Sequence, residues 1–99
     1  MRITIDDISL ISNPIAYKIM ELFFFHLYKS YKFKEIENML DSFCKKEELC
    51  NILSELLEKK WLLEITNFTK RVKKDDDIEI SFMLSFRGKL IMENFIDEN

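Results

Sequence analysis

The sequence predicts an α+β domain in which three helices precede a two-stranded antiparallel hairpin and a last helix closes the fold. Three stretches carry that prediction. SNPIAYKIMELF, beginning at Ser12, offers Asn13 as a helix cap and places Pro14, the only proline, in the first turn, where its missing N–H costs nothing. LCNILSELLEKKWLLEI, from Leu49 to Ile65, is a helix running straight into a strand. LSFRGKLIMENF, from Leu84 to Phe95, offers Ser85 as a second cap, with Gly88 inside the first turn.

The elements divide one domain, residues 1–99, into an N-terminal segment (1–12), a helical core (13–60), a hairpin (61–85) and a closing helix (86–97). In the first segment, Ile3 to Ile11 is apolar but interrupted by Asp6 and Asp7, a pattern that does not separate strand from short helix. From Pro14 to about Ser30, Ile15, Ile19, Leu22, Phe23 and Leu27 recur at helical spacing. Phe24, Phe25 and Tyr28 give that helix a second apolar side. After a linker at Lys29 to Lys34, the spacing of Phe33, Ile36, Met39 and Leu40 suits a helix of about two turns. Asp41 to Lys45 reads as a turn. From Lys46 to about Lys60, Leu49, Ile52, Leu53, Leu56 and Leu57 form an unbroken apolar stripe. Trp61 to Phe68 is strand-like. In the second strand Ile78, Ile80, Phe82 and Leu84 alternate with Glu79, Ser81 and Met83, which predicts one buried face. Polar residues Thr69 to Asp77 join the two strands, and Phe86 to about Ile96 forms the last helix.

Composition narrows the setting. With 47% hydrophobic and 33% charged residues the chain is globular rather than disordered. Its start does not read as a secretory leader, and the apolar stretch Leu22 to Leu27 falls far short of the roughly 20 residues that cross a bilayer. Cys44 and Cys50 read as reduced thiols, so the expectation is a soluble cytoplasmic protein without membrane association. The formal net charge is -3, but its distribution is uneven. Lys29 to Lys74 holds eleven basic and eight acidic residues, whereas the last twenty-five residues sum to -5. The middle of the chain is therefore able to face phosphates.

ISLISNPIAYKIM resembles the LSNPTRLKIL type of stretch that opens the first core helix of winged helix-turn-helix repressors of the ArsR and MarR types, including small regulators of archaea and their viruses. LSFRGKLIM resembles their LTEKGRELL type of tail, and the likeness spans Ser9 to Ile96. Two departures stand out. Ala16 occupies a place where those proteins often carry Arg, and Lys60 in EKKWLL stands where their EKGLI-type junction puts a left-handed Gly. A non-Gly residue at positive φ costs on the order of 1 kcal/mol, so either Lys60 bears that strain or the helix ends differently.

The resemblance implies a regulator that binds double-stranded DNA, with the Lys46 to Lys60 helix in the major groove and the hairpin tip on phosphate or in the minor groove. The face opposite the apolar stripe carries Glu47, Glu48, Asn51, Ser54, Glu55 and Glu58. Asn51 has the chemistry to read adenine, but four carboxylates repel a polyanion. Compensation falls to Lys45 and Lys46, to Lys32 and Lys34, and to the wing run Lys70, Arg71, Lys73 and Lys74, which Asp75, Asp76 and Asp77 partly offset. A solvated hairpin tip is the plainer account of that run. The alternative function is a winged-helix module for protein–protein interaction, its acidic third helix meeting a basic partner.

Phe24, Phe25, Tyr28, Met92, Phe95 and Ile96 exceed the apolar surface that so small a core hides, so the expected dimer interface lies along the first and last helices. A competing account has the N-terminal segment folding back over these side chains in a monomer. No enzyme, cofactor or metal site is expected. His26 sits alone among aromatics, and Cys44 and Cys50 lack paired ligand spacing. Asp75, Asp76, Asp77 and Glu79 lack the glycine and the ligand alternation of a calcium loop. Ser85 has no base placed beside it by any motif, and capping explains it.

Overall fold

The computed structural model describes residues 2–68 and 78–96. Across these described residues it is an α+β fold of five helices and one three-stranded antiparallel sheet: α1 (Ile5–Ile11), α2 (Pro14–Phe24), β1 (Ser30–Lys32), α3 (Phe33–Met39), α4 (Lys46–Glu58), β2 (Leu62–Phe68), β3 (Ile78–Leu84) and α5 (Phe86–Ile96).

The undecided N-terminal segment forms α1. A reciprocal cap starts it: the Asp7 N–H donates to the Thr4 hydroxyl at 3.1 Å, and the Thr4 N–H donates to the Asp7 carboxylate at 3.0 Å. Leu10 and Ile11 then bury its apolar side in the shared core. Asn13 caps α2 as expected, its side-chain oxygen accepting from the N–H groups of Ile15 at 2.8 Å and Ala16 at 3.2 Å.

The second helix ends at Phe24, several residues before the expected limit near Ser30. The supposed linker that follows contains β1. Burial of Tyr31 explains the early end. Its ring meets Phe23 edge-on at 5.2 Å, a position reached only if the chain leaves the helix, turns through Tyr28 at φ 71°, and re-enters as a strand. The sheet therefore has three strands, in the order β1-β3-β2, where two were expected. Tyr31 pairs with Phe82, and Phe82 with Glu64 on its other side.

The alternation expected of β3 holds only in part. Phe82 is buried, but Ile80 is 43% exposed, and Ser81, expected on the outer side, is buried. Because β3 is the central strand, its outer side at Ser81 is flanked by Lys32 and Ile65. Ile80 lies further out, where it pairs with Thr66 beyond the reach of the core.

Trp61, expected at the start of the strand, is instead the wholly buried hinge between α4 and β2. Lys60 does adopt the left-handed conformation, at φ 65°. The Trp61 N–H donates to the Leu56 carbonyl and the Lys60 N–H to the Leu57 carbonyl, each at 3.0 Å, which completes a Schellman cap with lysine at the glycine position. The same hinge receives α5. The Ser85 N–H donates to the Trp61 carbonyl at 3.0 Å, the Ser85 hydroxyl lies 2.5 Å from the Lys60 carbonyl oxygen, and the Gly88 N–H donates to that hydroxyl at 3.0 Å. At Gly88 a β-carbon would sit on the Trp61 carbonyl oxygen, so the first turn of α5 approaches the hinge only with glycine there.

Candidate nucleic-acid interface

Ile36 and Leu40 anchor α3, and the N–H groups of Phe43 and Cys44 fold the following turn back onto the Leu40 carbonyl at 2.9 and 3.1 Å. α4 then enters with Leu49, Ile52, Leu53 and Leu56 in the core. That stripe fixes the outward side, and Glu47, Glu48, Asn51, Ser54, Glu55 and Glu58 are all exposed on it. One of the four carboxylates is already engaged: Glu48 accepts from the Lys45 N–H at 3.0 Å and so serves the start of its own helix. Glu35 does the same for the Lys32 N–H at 2.8 Å.

Lys32 and Lys45 are the capping residues of α3 and α4, positions that favour Ser, Thr, Asp or Asn, and neither supplies a side-chain oxygen to the first turn. The Lys46 ammonium lies 6.0 Å from the centre of the Phe33 ring, which sets the start of α4 beside the start of α3. Lys32, Lys34, Lys45 and Lys46 thus belong to one end of the helix pair, all of them exposed. The amide of Asn51 is exposed along the same helix. Lys70, Arg71, Lys73 and Lys74, together with Asp75, Asp76 and Asp77, lie outside the described residues, and β2 and β3 are paired up to Phe68 and Ile78.

The expected dimer residues separate. Met92 is fully enclosed by its own chain and is therefore core, not interface, because α5 packs that side against α2. Phe24 and Phe95 are half-buried against the same core. Phe25 is 63% and Tyr28 90% exposed, so α1 does not cover them, and the Ile96 side chain lies outside the described residues. Phe25 borders a cleft of about 330 Å³ between α2 and α3, lined also by Leu22, Met39 and Leu40, with Lys18 and His26 among its polar residues. His26 itself is exposed on the turn after α2, its ring 6.4 Å from that of Tyr31.

Two features escaped the sequence reading. Exposed Leu63 and Phe86 extend the apolar surface beyond the predicted set, and nothing in their spacing marks them. The Lys59 ammonium pairs with the Asp7 carboxylate at 3.0 Å, tying α1 to the end of α4. Half of that signal was readable in the Thr4-to-Asp7 capping pattern. Burial opposes the charge on Asp7, but hydrogen bonds from Thr4 and the Lys59 ammonium outweigh it and hold the carboxyl below its usual range. At Cys44 burial, reinforced by the Glu48 charge, pushes the thiol up, which lowers its reactivity as a nucleophile or ligand. Among the described residues no three His, Cys, Asp or Glu side chains converge as a metal site, and no helix is long and apolar enough to cross a membrane. Comparison of the chain with protein-family profiles, curated proteins and solved structures finds no match.

Proposed function

We propose that the chain is a winged helix-turn-helix regulator that binds double-stranded DNA as a homodimer. The observation that carries this reading is the lysine cluster at the adjoining starts of α3 and α4. A cation at a helix N-terminus opposes the helix dipole, so Lys45 and Lys46 weaken the fold slightly where they stand. Phosphate reverses that sign, because it meets the ammonium groups together with the N–H groups that Lys45 leaves uncapped. The helices α2, α3 and α4, the antiparallel strands β2 and β3 directly after α4, and the closing α5 also agree with the winged-helix plan. Lys32, Lys34 and the wing residues Lys70, Arg71, Lys73 and Lys74 would add phosphate contacts, and Asn51 is the side chain on α4 suited to a base edge.

The exposed Glu47, Glu55 and Glu58 favour a second reading, in which α4 meets a basic protein surface and no DNA is bound. Titration of duplex binding with salt separates the two. The regulator shows log affinity falling against log salt with a slope of about -0.9 for each phosphate neutralised. Absence of duplex binding at about 50 mM salt, where such contacts are strongest, rejects it in favour of the protein-binding module.

A further inference from the structure

An apolar strip crosses the side of the sheet that the helical core leaves open. Successive residues of a strand point to opposite sides, so Met83 faces away from the buried Phe82, and the register sets Leu63 directly opposite Met83. Met83 in turn lines a cleft of about 280 Å³ with Leu27, Tyr28, Leu84 and Phe86. Within this strip Tyr28 is 90%, Phe86 73% and Leu63 43% exposed. Tyr28 also holds a left-handed backbone at φ 71°, a strain that its solvent-facing ring does nothing to offset in a single chain.

We propose that this strip is where a second copy of the chain docks, the Tyr28 ring of each copy entering the cleft of the other across a twofold axis. The proposal rests on the homodimer reading above and moves the interface away from the expected Met92 and Phe95. Size supports a second copy. Two largely exposed aromatic rings with Leu27 and Leu63 present on the order of 400 Å² of apolar surface, enough for the apolar centre of an interface of about 800 Å² per partner. Shape supports it as well, since a projecting ring beside a cleft that admits a ring is self-complementary, as an isologous contact requires. Charge does not oppose it. Among the described residues, Lys89 is the charged residue lining the cleft, and it has a partner in Glu93 at 3.7 Å.

Sedimentation of the full chain over a wide concentration range tests the proposal. The wild type sediments as a dimer, while Tyr28→Glu and Phe86→Glu sediment as monomers with unchanged far-UV circular dichroism. Tyr28→Gly is also monomeric, yet melts at a higher temperature than the Tyr28→Glu monomer because the backbone strain is gone. A wild type that stays monomeric, or a dimer that persists in both Glu variants, overturns the proposal. Duplex binding measured on the same samples keeps the two readings apart. A monomeric wild type that still binds DNA in a salt-dependent way sinks the interface and the homodimer but leaves the DNA reading, and a Tyr28-dependent dimer that binds no duplex sinks only the DNA reading.

Discussion

Lys60 shows how one backbone angle can be anticipated, and what it costs. The string EKKWLL placed a lysine where a helix-to-strand junction needs a left-handed residue, and the structure keeps the junction at φ 65° rather than ending the helix another way. Its surroundings explain why. Trp61 and Leu56 are both fully buried, and moving the hinge by one residue would withdraw the indole from the core, a loss of about 3 kcal/mol or more against a strain of roughly 1. Because the Lys60 side chain is exposed, Lys60→Gly relieves the strain and removes little packing. Part of the gain is returned through the greater freedom of glycine in the unfolded chain. The expected result is a net stabilisation of about 0.5–1 kcal/mol, read in urea denaturation as a higher midpoint with an unchanged m-value. An unchanged or lower midpoint would show that the strain at this hinge does not exceed the freedom glycine adds to the unfolded chain.

At the scale of elements, legibility followed locality. The caps of α2 and α5 and the apolar stripe of α4 are written within a few adjacent residues, and all three were readable. β1 was not, because three residues carry no period of their own and what makes them a strand is β3, some fifty positions later. α1 was half legible. Its cap lies within Thr4 to Asp7, but the reason a seven-residue helix persists is the long-range ion pair with Lys59 and the burial of Leu10 and Ile11. That pair makes a pH prediction. The Asp7 carboxyl is held below its ordinary value near 3.8, so its contribution to stability is fully present above that pH and is lost as pH falls through the lower folded value. Asp7→Asn, which keeps the shape but not the charge, is expected to lower stability at pH 7 by about 2 kcal/mol. The gap between wild type and variant should begin to close below about pH 5 and vanish at strongly acid pH, where both carry a neutral side chain. Denaturant curves for both proteins across that range cancel the other carboxylates, and a pH-independent gap would reject the ion pair as its source.

At the scale of the whole molecule, the two functional readings compete over charge, and the structure decides which substitutions separate them cleanly. Glu48 is a poor choice for reversal, since losing its bond to the Lys45 N–H damages the start of α4 whether or not DNA binds. Glu55 is better placed: it is exposed, sits in the last turns of α4 where a cation suits the helix dipole, and starts no helix. If the lysine-rich end of the α3–α4 pair faces a duplex, Glu55→Lys replaces a repulsion by an attraction and should raise duplex affinity roughly tenfold at low salt, an effect that shrinks as salt screens it. Reversing the other sign, with Lys70, Arg71, Lys73 and Lys74 all changed to Glu, should abolish duplex binding, with circular dichroism of the same sample as the check on folding. A protein-binding module responds in the opposite pattern. Glu55→Lys then weakens capture of the basic partner, and the fourfold change at residues 70–74 leaves it intact. Band-shift titrations of the three proteins at two salt concentrations are sufficient: duplex affinity that ignores both substitutions removes the α4 face and the basic run at residues 70–74 together from any DNA interface.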